Sequence, residues 1–213
     1  MASYLEERFS IDLYAEACKS RIVYLNTDVN DESASRVSML LRCLNDKNHE
    51  PIWLYIDSPG GSVYAGLKII DTIKQIQAPV FTVCEGIAMS MGAAILSCGD
   101  KRFITPHGTV MLHDVSSGAE GKMFEMKVQM AESDRLNNLL EEIISANCHK
   151  SKEEYHNFVS MLDRFMTPED ALKFGIVDGI LKDVEKDWSE SAEYVKAVED
   201  RVFALPKTEM GDE

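Results

Sequence analysis

Ser90 is the residue of this chain best placed to act as a nucleophile. It sits in Gly86-Ile87-Ala88-Met89-Ser90-Met91-Gly92-Ala93, where no bulky neighbour crowds it. The run 79–84 predicts a short buried strand, Gly86 a sharp turn, and 90–98 a helix stopped by Gly99. A serine that opens a helix at the end of a sheet exposes its hydroxyl beside the unpaired amides of the first turn, and those amides can stabilise an oxyanion. This is the logic of a nucleophile elbow, although the spelling is not G-x-S-x-G. The commoner use of a serine in that place is a plain N-cap.

A serine nucleophile needs a base and a group to orient the base. Thr109-Val110-Met111-Leu112-His113 is an apolar run that brings an imidazole to a strand end, and Asp163 immediately precedes a helix start in which Thr167 can cap and Pro168 suits the first turn. Serine, histidine and aspartate thus occur in that order, but His49, His107, His149 and His156 are also available, and a lone strand-end histidine is more often structural.

The elements that must position these groups alternate. Strands are expected over 21–29, 52–57, 79–84, 101–105 and 109–113, and helices over 31–44, 62–76, 90–98 and 122–148. Alternation of this kind implies β-α-β units around a mostly parallel sheet, hence an α/β fold. The long helix follows the turn at Gly118-Ala119-Glu120-Gly121 and carries apolar stripes at Met126, Met130, Leu136, Leu139, Leu140 and Ile143. Periodicity alone leaves open whether that stripe is core or interface.

At 213 residues with 45% hydrophobic content the chain suits one compact enzyme domain. Its net charge of -14, without a Lys/Arg block, argues against nucleic acid as a partner. The first residues, Met1-Ala2-Ser3-Tyr4-Leu5-Glu6-Glu7-Arg8, do not read as a secretory signal, and no apolar run reaches membrane-spanning length. Cys18, Cys43, Cys84, Cys98 and Cys148 are scattered without metal-ligand spacing, which suits buried thiols in a reducing cytoplasm.

Taken together, Asp57-Ser58-Pro59-Gly60-Gly61-Ser62, the Ser90 stretch, Val110-Met111-Leu112-His113, Asp163-Arg164-Phe165, Glu169-Asp170-Ala171 and Phe174-Gly175-Ile176-Val177-Asp178 resemble the ClpP family of self-compartmentalised serine peptidases. The match runs in one order from about Ile11 to Leu181. It implies a ClpP/crotonase-like spiral of β-β-α units with a long handle helix, and a peptidase domain over 1–181. Ser90 matches the family nucleophile, His113 the general base and Asp163 the orienting carboxylate. Gly61 and Met91 match the oxyanion-hole amides, and Gly60 beside Gly61 lets a substrate strand approach closely. No metal or cofactor is required. The resemblance further implies peptide or unfolded-protein substrates and a homo-oligomer of stacked heptamers in the cytoplasm, with the handle stripe as interface.

Beyond that match, 182–213 is an acidic extension with ten acids against five bases and a helix-like piece over 188–205. Two departures bear on an ATP-driven unfoldase partner. About ten residues precede Ile11, so the family's axial loops are expected to be short or missing. Trp53, Tyr55, Phe103 and Leu181 fit an apolar docking pocket, but Gln75, Glu85 and Thr105 fall where apolar residues are expected. An ordinary unfoldase should therefore dock poorly. A catalytically idle subunit of a mixed ring and a crotonase-fold acyl-CoA enzyme are the alternative readings, and the filled triad counts against both.

Overall fold

Seven strands and six helices make up the residues that the computed structural model describes, namely 16–17, 19–116 and 118–182. All of these belong to the unit Met1–Lys182; the acidic extension with its expected helix, Ile11 and Cys18 lie outside the described residues. The strands are β1 (Ile22–Leu25), β2 (Ile52–Ser58), β3 (Val80–Met89), β4 (Lys101–Ile104), β5 (Thr109–Leu112), β6 (Arg164–Met166) and β7 (Gly179–Ile180). The helices are α1 (Asp31–Lys47), α2 (Val63–Gln75), α3 (Met91–Ser97), α4 (Met123–Asn147), α5 (Lys152–Val159) and α6 (Pro168–Phe174). The sheet runs β1-β2-β3-β4-β7, with β5 paired to both β3 and β6. Every pairing is parallel except β5 with β6.

β3 organises this sheet because it serves two neighbours in turn. Phe81–Cys84 pair with β4, and Ile87–Met89 pair with β5. Between them Gly86 adopts φ +84, and the register against β2 slips between Ile56 and Ser58. A Cβ on Gly86 would meet Asp57 Oδ1 at 2.7 Å, so glycine permits the change of partner. The strand expected to end at residue 84 therefore continues to Met89, and the sharp turn expected at Gly86 falls at Ser90. The strand expected over 21–29 is confined to Ile22–Leu25, with Val29 forming an isolated bridge to Gly61.

Alternation along the strands separates an inner face from an outer one. Leu54, Ile56, Val80 and Cys84 join the buried core with Leu41 and Leu44 of α1 and Ile69 and Ile73 of α2. Asn30 caps α1 by accepting from the Glu32 and Ser33 amides, and Ser62 caps α2 by accepting from the Ala65 amide. Cys84, Cys98 and Cys148 are buried free thiols, whereas Cys43 is exposed, against expectation. Burial pushes the Cys84 and Cys148 thiols up to about 12, which leaves them protonated and poor nucleophiles.

α4 divides along its length. Met123, Phe124, Val128 and Met130 are exposed, while Leu136 and Ile144 are buried. Only the C-terminal part of the expected stripe thus packs on the core of the chain. The neighbouring α5 was missed in the sequence, although Ser151 and Glu154 form a capping box that marks its start. Among the described residues no helix is long and apolar enough to cross a membrane.

Arg102 closes the far side of the domain. Its Nη1 donates to the carbonyls of Asn147 at 2.7 Å and Gly175 at 3.0 Å, and its Nη2 and Nε donate to Asp178. Burial works against the Asp178 carboxylate, but the Arg102 hydrogen bonds and charge outweigh it and hold the group below 3.8. A depressed carboxylate stabilises the fold above its unfolded value and loses that effect as pH falls through its folded one. Asp178→Asn is therefore expected to cost about 1–2 kcal/mol near neutrality, since Asp178 is partly exposed. In urea unfolding the difference from the parent should shrink below about pH 3.8.

Candidate active site

Ser90 owes its position to two strands and a helix. It follows the last residue of β3, its amide donates to Met111 O of β5 at 2.9 Å, and its own carbonyl accepts from the Ala93 and Ala94 amides of α3. This forces φ 51 and ψ -118, a conformation that a residue with a Cβ rarely adopts. Ser90 occupies the N-cap position of α3, yet its hydroxyl makes no cap bond. It lies instead 2.7 Å from His113 Nε2. The plain N-cap use is thereby excluded, and the hydroxyl is left to the imidazole.

The register of β5 places the other two groups. His113 immediately follows β5, two residues past the Met111 to which Ser90 is tied. Antiparallel pairing of Leu112 with Arg164 then sets Asp163 opposite His113. The separation between His113 Nδ1 and Asp163 Oδ1 is 3.7 Å. That exceeds a hydrogen bond. His113 is 23% exposed at its side chain and Asp163 62%, so water reaches the carboxylate.

Gly60 and Gly61 approach the same serine from β2. A Cβ on Gly60 would lie 2.7 Å from Met89 O, 2.8 Å from Ser90 Cβ and 2.9 Å from Met91 N. One on Gly61 would lie 2.4 Å from Val29 O. Val29 grips this turn on both sides, its amide donating to Gly60 O at 2.8 Å and its carbonyl accepting from Ser62 N at 2.7 Å. Met91 begins α3, so its amide is one of those a helix leaves without an internal acceptor. A cleft of about 290 Å³ opens over Ser90, His113 and Gly61, with Val63, Met91, Ala94, Leu140 and Ile144 on its apolar walls. It suits an apolar side chain presented next to the serine.

The expected docking residues divide between two layers. Trp53 stacks on Phe103 at 5.8 Å and meets Phe81 edge-on at 5.3 Å, while Tyr55 lies 5.6 Å from Tyr24, all on the sheet's outer face. Phe81 and Tyr24 were missed; strand alternation in register with Trp53 and Tyr55 was the signal for them. Burial and then the charge of Glu85 hold the Tyr55 phenol above 10, which places that exposed carboxylate beside the aromatic face. The Leu181 amide donates to Ile104 O at 2.8 Å. Gln75, by contrast, accepts from Arg42 Nη2 of α1 at 3.0 Å, in the helical layer.

Asp114, Glu141 and His156 form a group whose possible metal-donor atoms lie within 4.8 Å of one another. His156 Nδ1 is 2.7 Å from Glu141 Oε1, an ion pair when the imidazole is protonated.

The Clp protease family model matches residues 5–184. The ATP-dependent Clp protease proteolytic subunit of Deinococcus radiodurans is 38% identical over 175 residues, which cover 81% of this chain and 85% of that protein. With a match of that extent laid over a parallel α/β sheet whose central strand ends in a strained serine against a histidine, the chain belongs to the Clp protease family.

Proposed function

We propose that this member of the Clp protease family is a serine endopeptidase in which Ser90 is the nucleophile, His113 the general base and Asp163 the orienting carboxylate. The observation that carries this reading is the 2.7 Å contact of His113 Nε2 with a Ser90 hydroxyl that caps nothing. Ser90 Oγ attacks the peptide carbonyl carbon as its proton passes to His113 Nε2. The tetrahedral oxyanion is met by the Gly61 and Met91 amides. The C–N bond then breaks, the amine leaving with the proton from His113, and water hydrolyses the acyl-Ser90 ester by the same base in reverse. Asp163 holds the imidazole tautomer and steadies its cation.

On this reading residues 1–181 are the peptidase domain and 182–213 an extension. The protein works in the cytoplasm as stacked heptamers, with the exposed apolar part of α4 meeting the opposite ring. Enclosure supplies selectivity, because a nonspecific triad open to solvent would attack any flexible chain. The test is reaction with a fluorophosphonate, peptide mapping of the adduct and native mass spectrometry. An adduct on Ser90 in a multi-ring assembly is expected; an unlabelled Ser90, or a fully active monomer, overturns the reading.

Coupling to an ATP-driven unfoldase should be weak. A docking loop gains affinity by burying an apolar anchor, and the exposed Glu85 carboxylate beside Tyr55 adds a desolvation cost. Small peptides are expected to be cleaved without ATP, while a tagged folded protein given with a generic unfoldase is degraded at least about tenfold more slowly than by a well-coupled peptidase. Glu85→Met should raise that rate, and equal rates in the parent would refute weak docking.

A further inference from the structure

Beside the candidate triad lies a second cluster that begins with the residue after His113. Asp114 follows β5, Glu141 is on α4 and His156 on α5. Glu141 is 6% exposed at its side chain and His156 52%. Asn137 Nδ2 donates to the same Glu141 oxygen that meets His156, at 3.2 Å. Asp114 Oδ1 is buried and meets no donor, while Oδ2 accepts from the Met161 amide at 3.3 Å.

That amide belongs to the link 160–163, which carries Asp163. The start of the link is held by α5, through Ser160 N to His156 O at 2.8 Å and Leu162 N to Val159 O at 3.2 Å. Its end is held by the pairing of Arg164 with Leu112. Asp114 grips the middle, at Met161, whose φ of 61 is unfavourable for a side chain. The residue beside the base thus holds the segment that bears the orienting carboxylate.

We propose that Asp114 is a positioning residue for the triad, and that the imidazolium of His156 beside Asp114 and Glu141 keeps it in place. The proposal rests on the Ser90, His113 and Asp163 reading. Two carboxylates this close, Glu141 buried and Asp114 partly buried, repel unless a cation stands with them. With His156 neutral, Asp114 is the less buried of the two and is the one displaced. The Met161 amide then loses its acceptor, and Asp163, already 3.7 Å from His113, drifts out of line.

The groups facing His156 are Glu141 from α4, Asp114 from the segment after β5, and Lys152 from α5 itself. The Glu141 hydrogen bond and charge, helped by Asp114 and opposed by burial and Lys152, hold the imidazole proton above its ordinary 6.5. A histidine raised in this way gives its full stabilisation below 6.5 and loses it as pH rises through the folded value. Alignment of Asp163 should therefore be lost on the basic side.

The test is kcat and KM on a short fluorogenic peptide from about pH 6 to about pH 9. It compares the parent with Asp114→Asn, His156→Gln and the double variant, using Ser90→Ala as the blank. The parent kcat should fall about tenfold across an ionisation above 6.5, with KM little changed. Asp114→Asn should flatten that limb, since asparagine keeps an acceptor for Met161 and removes the repelling charge. His156→Gln should sit near the parent's high-pH value throughout, and adding Asp114→Asn should restore kcat, a rescue that misfolding would not allow. The proposal is overturned if the Asp114→Asn limb coincides with the parent's or if the double variant is no faster than His156→Gln. Parent-like turnover by Ser90→Ala would sink the triad reading and this proposal with it, whereas the other two results sink the proposal alone.

Discussion

Ser90→Ala is expected to lower kcat on a fluorogenic peptide by at least about 10⁴-fold while the fold and the assembly persist. The hydroxyl makes no cap bond to α3, so its removal takes away chemistry and little packing. Alanine keeps the Cβ and therefore keeps the strain of φ 51. Ser90→Gly should lose the same activity and gain about 1 kcal/mol in stability, because glycine enters this region without penalty. Calorimetry on the three proteins separates the two effects. Equal melting temperatures for the alanine and glycine variants would show that the elbow stores no strain, and parent-like turnover by the alanine variant would remove Ser90 from the mechanism.

What was legible in the chain depended on whether position was set locally. Ser90 and His113 stand at the ends of apolar runs, so their types and their places could be read together. Asp163 was visible through the helix start that follows it, but its facing of His113 comes from β6, a three-residue strand too short to show a period. Gly86 misled because a glycine after an apolar run looks like a turn, whereas here it lets one strand change partners. The length of α4 was plain from its stripe, yet which half packs depends on α3 and α5, and sequence spacing does not carry that. The grouping of Asp114, Glu141 and His156 could not be read because three segments far apart in sequence bring it together. The Arg102 and Asp178 pair, 76 residues apart, escaped for the same reason.

Gly61→Ala should cost about 10²–10³-fold in kcat and leave phosphonylation of Ser90 by a fluorophosphonate correspondingly slow. Two independent constraints act at this residue. Its φ of +144 is one that side chains rarely adopt, and a Cβ there would stand 2.4 Å from Val29 O. The carbonyl it would strike is backbone, so no side chain can swing aside, and that carbonyl also accepts from Ser62 N at 2.7 Å. Relief must come from moving the 59–62 turn, which carries the Gly61 amide away from its place beside Ser90, where the proposed mechanism puts the oxyanion. Stability should fall as well, by about 1–3 kcal/mol for a strained backbone position, so the activity loss is to be read well below the unfolding transition. The diagnostic is the split between the two kinetic constants: kcat drops with KM little altered, since the lost contact is made in the transition state. A rise in KM at unchanged kcat would place Gly61 in ground-state binding and take its amide out of the oxyanion hole.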